Sequence, residues 1–269
     1  MQPLPQEYTL SPKYSTKNIP SVTIIIPAYN EEKRIGRVLR EISEFIVINH
    51  LDWNVIISLD GNDNTEEIIK QFSKDYPFIS YNKYNGRSGK GFAVKRVMND
   101  SKGEFTMLMD ADGSVRLESI LRGFEFLPQY DMIIFDRYSA KENNIPLHRR
   151  FPSRGYNFLV RLFFNIRVND TQCGYMIMKT EIAKSAFNSI TISNGFFYVP
   201  LLYYVKKSGG EIKEIPIKYE YESESKFRVL EMVLGGGISL LAFRLRHSRL
   251  YKYVPEWTKE LYYRKFKWI

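Results

Sequence analysis

Two hydrophobic rhythms alternate along the first 140 residues. Short β-branched runs, "SVTIIIP" and "WNVIISLD", read as strands buried on both faces, the first of them closed by Pro27. Between them "NEEKRIGRVLREISEFIVINH" has helical spacing, with Ile35, Leu39, Ile42 and Ile46 on one face and Asn30 as the predicted cap ahead of first-turn acids. The pattern continues as helix "NTEEIIKQFSKDY", strand "FISYNKY", a glycine-rich turn, helix "GKGFAVKRVMND", strand "GEFTMLMD", helix "RLESILRGFEFL" and strand "YDMIIFDR". Such alternation predicts an open, mostly parallel, Rossmann-like α/β sheet with helices on both faces. Ligands of such sheets bind beyond the carboxyl ends of the strands, and Asp60, Asp110, Asp112 and Asp136 all fall there.

After about residue 140 the rhythm changes. "PSRGYNFLVRLFFN" and "GFFYVPLLYYVKKSGG" read as aromatic helices, the second stopped by Gly209. "EIKEIPIKYE" reads as an edge strand because of Pro216, and "KFRVLEMVLGGGISLLAFRLRHSRL" as an apolar helix with a basic end. Three regions follow: an extended arm over 1–20, a catalytic-size α/β domain over 21–225, and a basic helical segment over 226–269. The chain of 269 residues is long enough for a large core. Its single cysteine, Cys173, excludes an internal disulfide framework, fits a reducing cytosol and is expected as a buried thiol.

Charge adds a second theme. Of the net charge of +9, seven units lie between Lys226 and the last residue. That bias suits nucleic acid, an anionic membrane surface or phosphorylated substrates, and also an ordinary solvated basic face. No run reaches the 18 or more apolar residues expected of a spanning helix.

"DADG" is the sharpest chemical signal. On an extended chain, residues i and i+2 point to the same side, so Asp110 and Asp112 would repel unless a cation lies close. Hard carboxylate oxygens suit Mg²⁺ or Mn²⁺, which complete their shells with water and substrate phosphate. The site reading is therefore a metal-bound diphosphate; the alternative is a solvated turn at Gly113. "NGRSGKG", residues 85–91, offers backbone N–H groups and Lys90 to a phosphate, or is a plain flexible turn.

The order P-A-Y-N-E-E, an acidic D-G turn, N-G-x-x-G-K-G-x-A and D-A-D-G resembles the family 2 glycosyltransferases of GT-A fold. "RRFPSRGYNFLVRLFFN", "DTQCGYMIMKTEIAKSAF" and "SESKF" are similar to the polyprenyl-phosphate (dolichyl-phosphate) glucosyl- and mannosyltransferase branch. The resemblance covers roughly residues 20–230. It implies that Asp110 and Asp112 hold Mg²⁺ or Mn²⁺ and the donor diphosphate, with Asp112 also catalytic. Pro27, Tyr29, Glu31, Asp60 and Lys90 then belong to the nucleotide-sugar site. Arg137, Arg149, Arg150, Arg154, Ser225 and Lys226 fall to the acceptor phosphate, since the guanidinium fork binds phosphate bidentately.

Asp170 of "DTQCG" lies where related enzymes acting on hydroxyls keep a carboxylate. A phosphate acceptor is mostly dianionic at pH 7 and needs little general base, which gives Asp170 a positioning role instead. The implied reaction is inverting transfer of one hexose, from UDP-glucose before GDP-mannose, to a polyprenyl or dolichyl phosphate. The implied location is the cytoplasmic face of a membrane, with peripheral or monotopic attachment through the basic tail. Two departures stand out. Leu59 replaces the first acid of the family's second motif, and the Q-x-x-R-W motif of processive synthases is absent. Three other readings remain: a soluble enzyme acting on a sugar hydroxyl with Asp170 as base, a basic nucleic-acid-binding protein, and a catalytically inert scaffold. No nucleic-acid motif is found, and acidic strand ends repel nucleic-acid phosphate.

Overall fold

The computed structural model describes residues 19–140, 143, 145–191, 194–219 and 229–258. The first half alternates β1 (Val22–Tyr29), α1 (Ile35–Ile48), β2 (Trp53–Asp60), α2 (Thr65–Asp75), β3 (Ile79–Tyr84), α3 (Lys90–Met98), β4 (Phe105–Leu108), α4 (Leu117–Leu121) and β5 (Met132–Asp136). The second half contains α5 (Leu147–Phe164), β6 (Met176–Lys179), α6 (Thr180–Ser189), α7 (Tyr198–Lys207), β7 (Ile212–Pro216) and α8 (Val229–Arg246). The strands form one sheet in the order β3-β2-β1-β4-β6-β5-β7. β6 runs antiparallel to both β4 and β5, and the remaining pairs are parallel.

Two cores cover the two faces of the sheet. Ile24 and Ile26 of β1 join Leu39 of α1 and Ile69 of α2 on one side. Ile25 joins Val94 of α3, Phe187 of α6 and Leu201 of α7 on the other. A strand this rich in β-branched apolar residues is stable when both faces of the pleat are buried, as they are over Val22–Ile26.

The chain moves outward from β1 through β2 to β3, then returns to β4 on the opposite side of β1. That reversal opens a crevice at the carboxyl ends of β1 and β4, the expected ligand position in an open α/β sheet.

Several local expectations change. β1 does not close at Pro27 but runs to Tyr29. The Ile25 carbonyl accepts from Met109 on the β4 side, so Pro27, two residues on, faces that same side. β4 has already ended there, and the missing N–H costs no ladder bond. Asn30 is not a helix cap. Its φ is 54°, its side-chain oxygen accepts from the Asn62 N–H at 3.0 Å, and α1 begins five residues later. Glu31 and Glu32 therefore precede α1 rather than occupy its first turn. β6 and α6 leave no separable period in the sequence, because three apolar residues and a lysine run directly into a helix.

Cys173 is buried, and that burial raises its thiol pKa. The N-terminal arm and the tail beyond residue 258 lie outside the described residues. Among the described residues, no helix is long and apolar enough to cross a membrane.

Candidate active site

Asp110 lies just beyond β4 and Asp112 in the turn that follows, so the two do not share one extended strand. The same-side argument therefore does not apply; neighbouring elements orient them instead. Asp110 is paired with the Lys90 ammonium from the start of α3. Burial lowers the pKa of that lysine, but Asp110 and then Tyr198 outweigh it, so the ammonium keeps its proton. Asp112 Oδ1 accepts from the Tyr175 hydroxyl at 3.1 Å and from the Ser114 N–H at 2.9 Å. Its backbone carbonyl accepts from Arg37 at 3.0 Å. Burial, with the Asp112 charge behind it, pushes the Tyr175 hydroxyl well above its ordinary pKa and keeps it a donor.

Gly174 lies against the Asp110 carboxylate. A Cβ at that position would overlap all three atoms of the carboxyl group. Adjacent residues 174 and 175 thus seat the two aspartates, one each. The antiparallel direction of β6 makes this possible. Met176 pairs with Leu108, so the segment entering β6 arrives at the edge that β4 leaves.

Among the described residues no group of three or more His, Cys, Asp or Glu side chains converges on a metal position. Two carboxylates at one edge match the smaller demand of Mg²⁺ or Mn²⁺ when phosphate and water supply the other oxygens. The ammonium on Asp110 marks the place as one that favours positive charge.

On the β1–β2 side, Asp60 is buried. Its Oδ2 accepts from the Ser88 N–H at 2.7 Å and the Ser88 hydroxyl at 2.5 Å, and its Oδ1 accepts from Arg96 at 3.1 Å. It therefore fixes the glycine-rich loop ahead of α3. Gly89, with φ 85°, turns that loop into the helix in the left-handed region that glycine favours. Tyr29 is 38% exposed, with the Arg87 guanidinium 5.1 Å from its ring centre. Glu31 Oε2 accepts from Arg34 Nε at 2.8 Å. Pro27 lies inside β1, opposite Ser58 of β2.

On the β5 side, Arg137 follows the last residue of the strand. Its Nε donates to Asp170 Oδ2 at 2.7 Å and a terminal nitrogen donates to Oδ1 at 3.0 Å; its backbone N–H donates to Oδ2 at 3.2 Å. The Asp170 side chain is fully buried. The guanidinium also lies 5.4 Å from the Tyr219 ring centre and 5.8 Å from that of Tyr138. Burial opposes the charge on Arg137, but Asp170 more than restores it. Asn143 donates to the Arg137 carbonyl at 2.7 Å and to the Ile217 carbonyl at 2.8 Å, tying the strand end to the chain beyond β7.

The three loop arginines do not share one environment. Arg154 is exposed on the outer stripe of α5, while Arg150 Nε is buried with no hydrogen-bond partner among the described residues. The Arg149 side chain, Ser225 and Lys226 lie outside the described residues.

Sequence reasoning passes over Ser88, Arg96, Asn157, Gly174, Tyr175 and Glu214. Ser88, Asn157, Gly174 and Tyr175 fall inside the motif stretches "NGRSGKG", "RRFPSRGYNFLVRLFFN" and "DTQCGY", whereas Arg96 and Glu214 fall in none.

The family model for glycosyl transferase family 2 matches residues 23–187. A dolichyl-phosphate beta-glucosyltransferase of Trichomonas vaginalis is 27% identical over 247 residues, spanning 86% of this chain and 73% of that protein. The dolichyl-phosphate beta-glucosyltransferase of Mus musculus is 26% identical over 273 residues, spanning 90% of this chain and 83% of that one. Among solved structures, mannosyl-3-phosphoglycerate synthase from Rubrobacter xylanophilus superposes with a TM-score of 0.64 at 16% identity, over 84% of this chain and 74% of that one. Glucosyl-3-phosphoglycerate synthase from Mycobacterium tuberculosis, in complex with Mn²⁺ and UDP-glucose, gives 0.63 at 16%, over 85% and 80%. The sheet order, the acidic carboxyl edge of β4 and the match across more than half of the chain lead to one conclusion: this glycosyltransferase belongs to glycosyl transferase family 2.

Proposed function

We propose that the protein transfers one hexose from a nucleotide sugar, UDP-glucose before GDP-mannose, to a polyprenyl or dolichyl phosphate, with inversion at the anomeric carbon. The observation that carries this reading is the segment 170–175. Its one end holds Arg137, and its other end seats Asp110 and Asp112. A cationic fork and a paired-carboxylate edge are thereby joined through a few residues, as transfer between two phosphorylated substrates requires.

Tyr29, Glu31 and the loop fixed by Asp60 line the nucleoside side in this proposal. Asp110 and Asp112 would hold a divalent cation, Mg²⁺ or Mn²⁺, which when bound would offset charge on the departing diphosphate. Arg137 orients the lipid phosphate. One phosphate oxygen forms the new bond to the anomeric carbon from the face opposite the breaking bond, and the nucleoside diphosphate leaves with the electron pair. The acceptor, with a second pKa near 6, brings its own negative charge and needs no proton removed. Asp170, with both oxygens engaged by Arg137, is suited to positioning rather than to acting as a base for a hydroxyl acceptor.

Membrane attachment belongs to the same proposal. The buried stripe of α5 carries Ser153, Asn157 and Val160, whereas its exposed stripe carries Phe151, Phe158 and Leu162 beside Arg154 and Arg161. The outward stripe is thus more apolar than that of an ordinary surface helix. α8, which packs on α5 through Phe243 against Phe164, also exposes Ile238, Leu241 and Leu245 beside Arg244. Apolar side chains flanked by arginine suit the headgroup region of an anionic bilayer.

The test is product formation with a short polyprenyl phosphate, UDP-glucose or GDP-mannose, and Mn²⁺ or Mg²⁺. A metal-dependent lipid-linked hexose, reduced about 10³-fold or more in Asp112→Ala, is expected. Donor binding without transfer to any polyprenyl phosphate would overturn the acceptor assignment.

A further inference from the structure

Glu214 occupies the middle of β7, and nothing in "EIKEIP" sets it apart from its charged neighbours. The fold surrounds it with donors. Its Oε1 accepts from the backbone N–H of Asn169 at 2.7 Å and of Asp170 at 3.0 Å, and its Oε2 accepts from Asn169 Nδ2 at 2.9 Å. All three donors belong to the turn that presents Asp170 to Arg137. Asn157 of α5 braces the same turn from elsewhere, accepting from the Thr171 N–H at 3.3 Å and donating to the Asn169 carbonyl.

We propose that Glu214 is a positioning residue whose negative charge, acting through the Asn169–Asp170 turn, sets the orientation of the Arg137 fork toward the acceptor phosphate. The inference rests on the reading of Arg137 as the acceptor-phosphate group.

An ionised carboxylate is acceptor-only and matches three donors; a neutral acid brings an O–H of its own into a ring of donors. Bonds to the charged form are also roughly twice as strong. The charged groups facing Glu214 are Asp136 from β5 and Asp170 from the turn, with Arg137 on the far side of Asp170. Burial pushes the Glu214 carboxyl up to about 7, and the two aspartates add to the rise against the pull of the N–H donors. The sign follows. A carboxyl raised on folding binds a proton more tightly in the folded state, so its contribution to stability increases as pH falls through 7 toward the ordinary carboxylate range. The charged clamp is thus tight above pH 7 and held at a cost in stability. Activity and stability are then expected to move in opposite directions, which a merely structural residue would not produce.

The experiment uses the full chain, wild type and Glu214→Gln, the amide standing for the neutral acid. Hydrogen exchange at the Asn169 and Asp170 amides is followed from pH 6 to 8 and corrected for intrinsic rates. Wild-type protection is expected to fall about tenfold between pH 8 and pH 6, and to be low and flat with pH in the variant. At pH 8 the variant is expected to melt no lower than wild type, while its KM for a short polyprenyl phosphate rises about tenfold and its KM for the donor stays unchanged. Unchanged exchange in the variant, or a lower melting temperature together with equal losses toward both substrates, would overturn the proposal. If wild type transfers to no polyprenyl phosphate yet the exchange pattern appears, the acceptor assignment falls and the clamp on Arg137 stands.

Discussion

The two ends of the site are built differently. On the β1–β4 side the polar groups sit at or just beyond strand ends, so the main chain itself delivers Tyr29, Asp60 and Asp110 to one edge. On the β5–β7 side a strand end delivers Arg137, but its direction is set by side chains from three other places. Asp170 comes from the approach to β6, Glu214 from β7, and Asn157 from α5. In the first arrangement the register of parallel β1, β2 and β4 sets where the chain ends lie. The second is a relay of hydrogen bonds, and its precision depends on every member.

Three variants probe that contrast, in order of expected size. Gly174→Ala strikes the point where the relay segment meets the β1–β4 side. The added methyl has no room beside Asp110, so the carboxylate or the segment must shift. A displacement of about 1 Å at a reacting group costs on the order of 10²-fold in rate. Steady-state kinetics should show that loss in kcat, with the circular dichroism spectrum retained; full activity would mean that Asp110 does not need its present seat.

Arg137→Lys keeps the charge and removes the fork. The two-point contact with Asp170 becomes a single one, and bidentate phosphate recognition is lost. The expected effect is about 10-fold to 100-fold in kcat/KM, carried mainly by KM for the lipid phosphate. An equal effect on donor KM would place Arg137 on the wrong side of the comparison.

Phe158→Asp with Leu162→Asp should have the smallest effect on the chemistry. Both side chains are more than 60% exposed, so stability should change by less than about 0.5 kcal/mol. Co-sedimentation with anionic vesicles is expected to drop about tenfold or more, since each apolar side chain would otherwise gain about 1.5–3 kcal/mol on burial. Transfer to a short, water-soluble acceptor should be retained. Undiminished vesicle binding would remove α5 from the membrane surface.

The chain alone determined a good deal. Apolar runs and helical spacing forecast the parallel strands and helices of the first half, because strands buried on both faces and helices buried on one leave distinct periods. The aspartates at strand ends followed from the same pattern. What only the tertiary structure decided is where distant side chains meet. Four residues, "MIMK", carry no mark of running antiparallel, yet that direction brings Gly174 and Tyr175 to the two aspartates. Asn157 and Glu214 look like ordinary polar positions of a helix and an edge strand. Their importance is in their partners, and hydrogen bonds across 12 to 45 residues of chain leave no period to read. Likewise the spacing of α5 revealed a helix but not which of its faces would be covered. Packing decided that, turning Ser153 and Asn157 toward the Asp170 turn and leaving Phe151 and Phe158 outside.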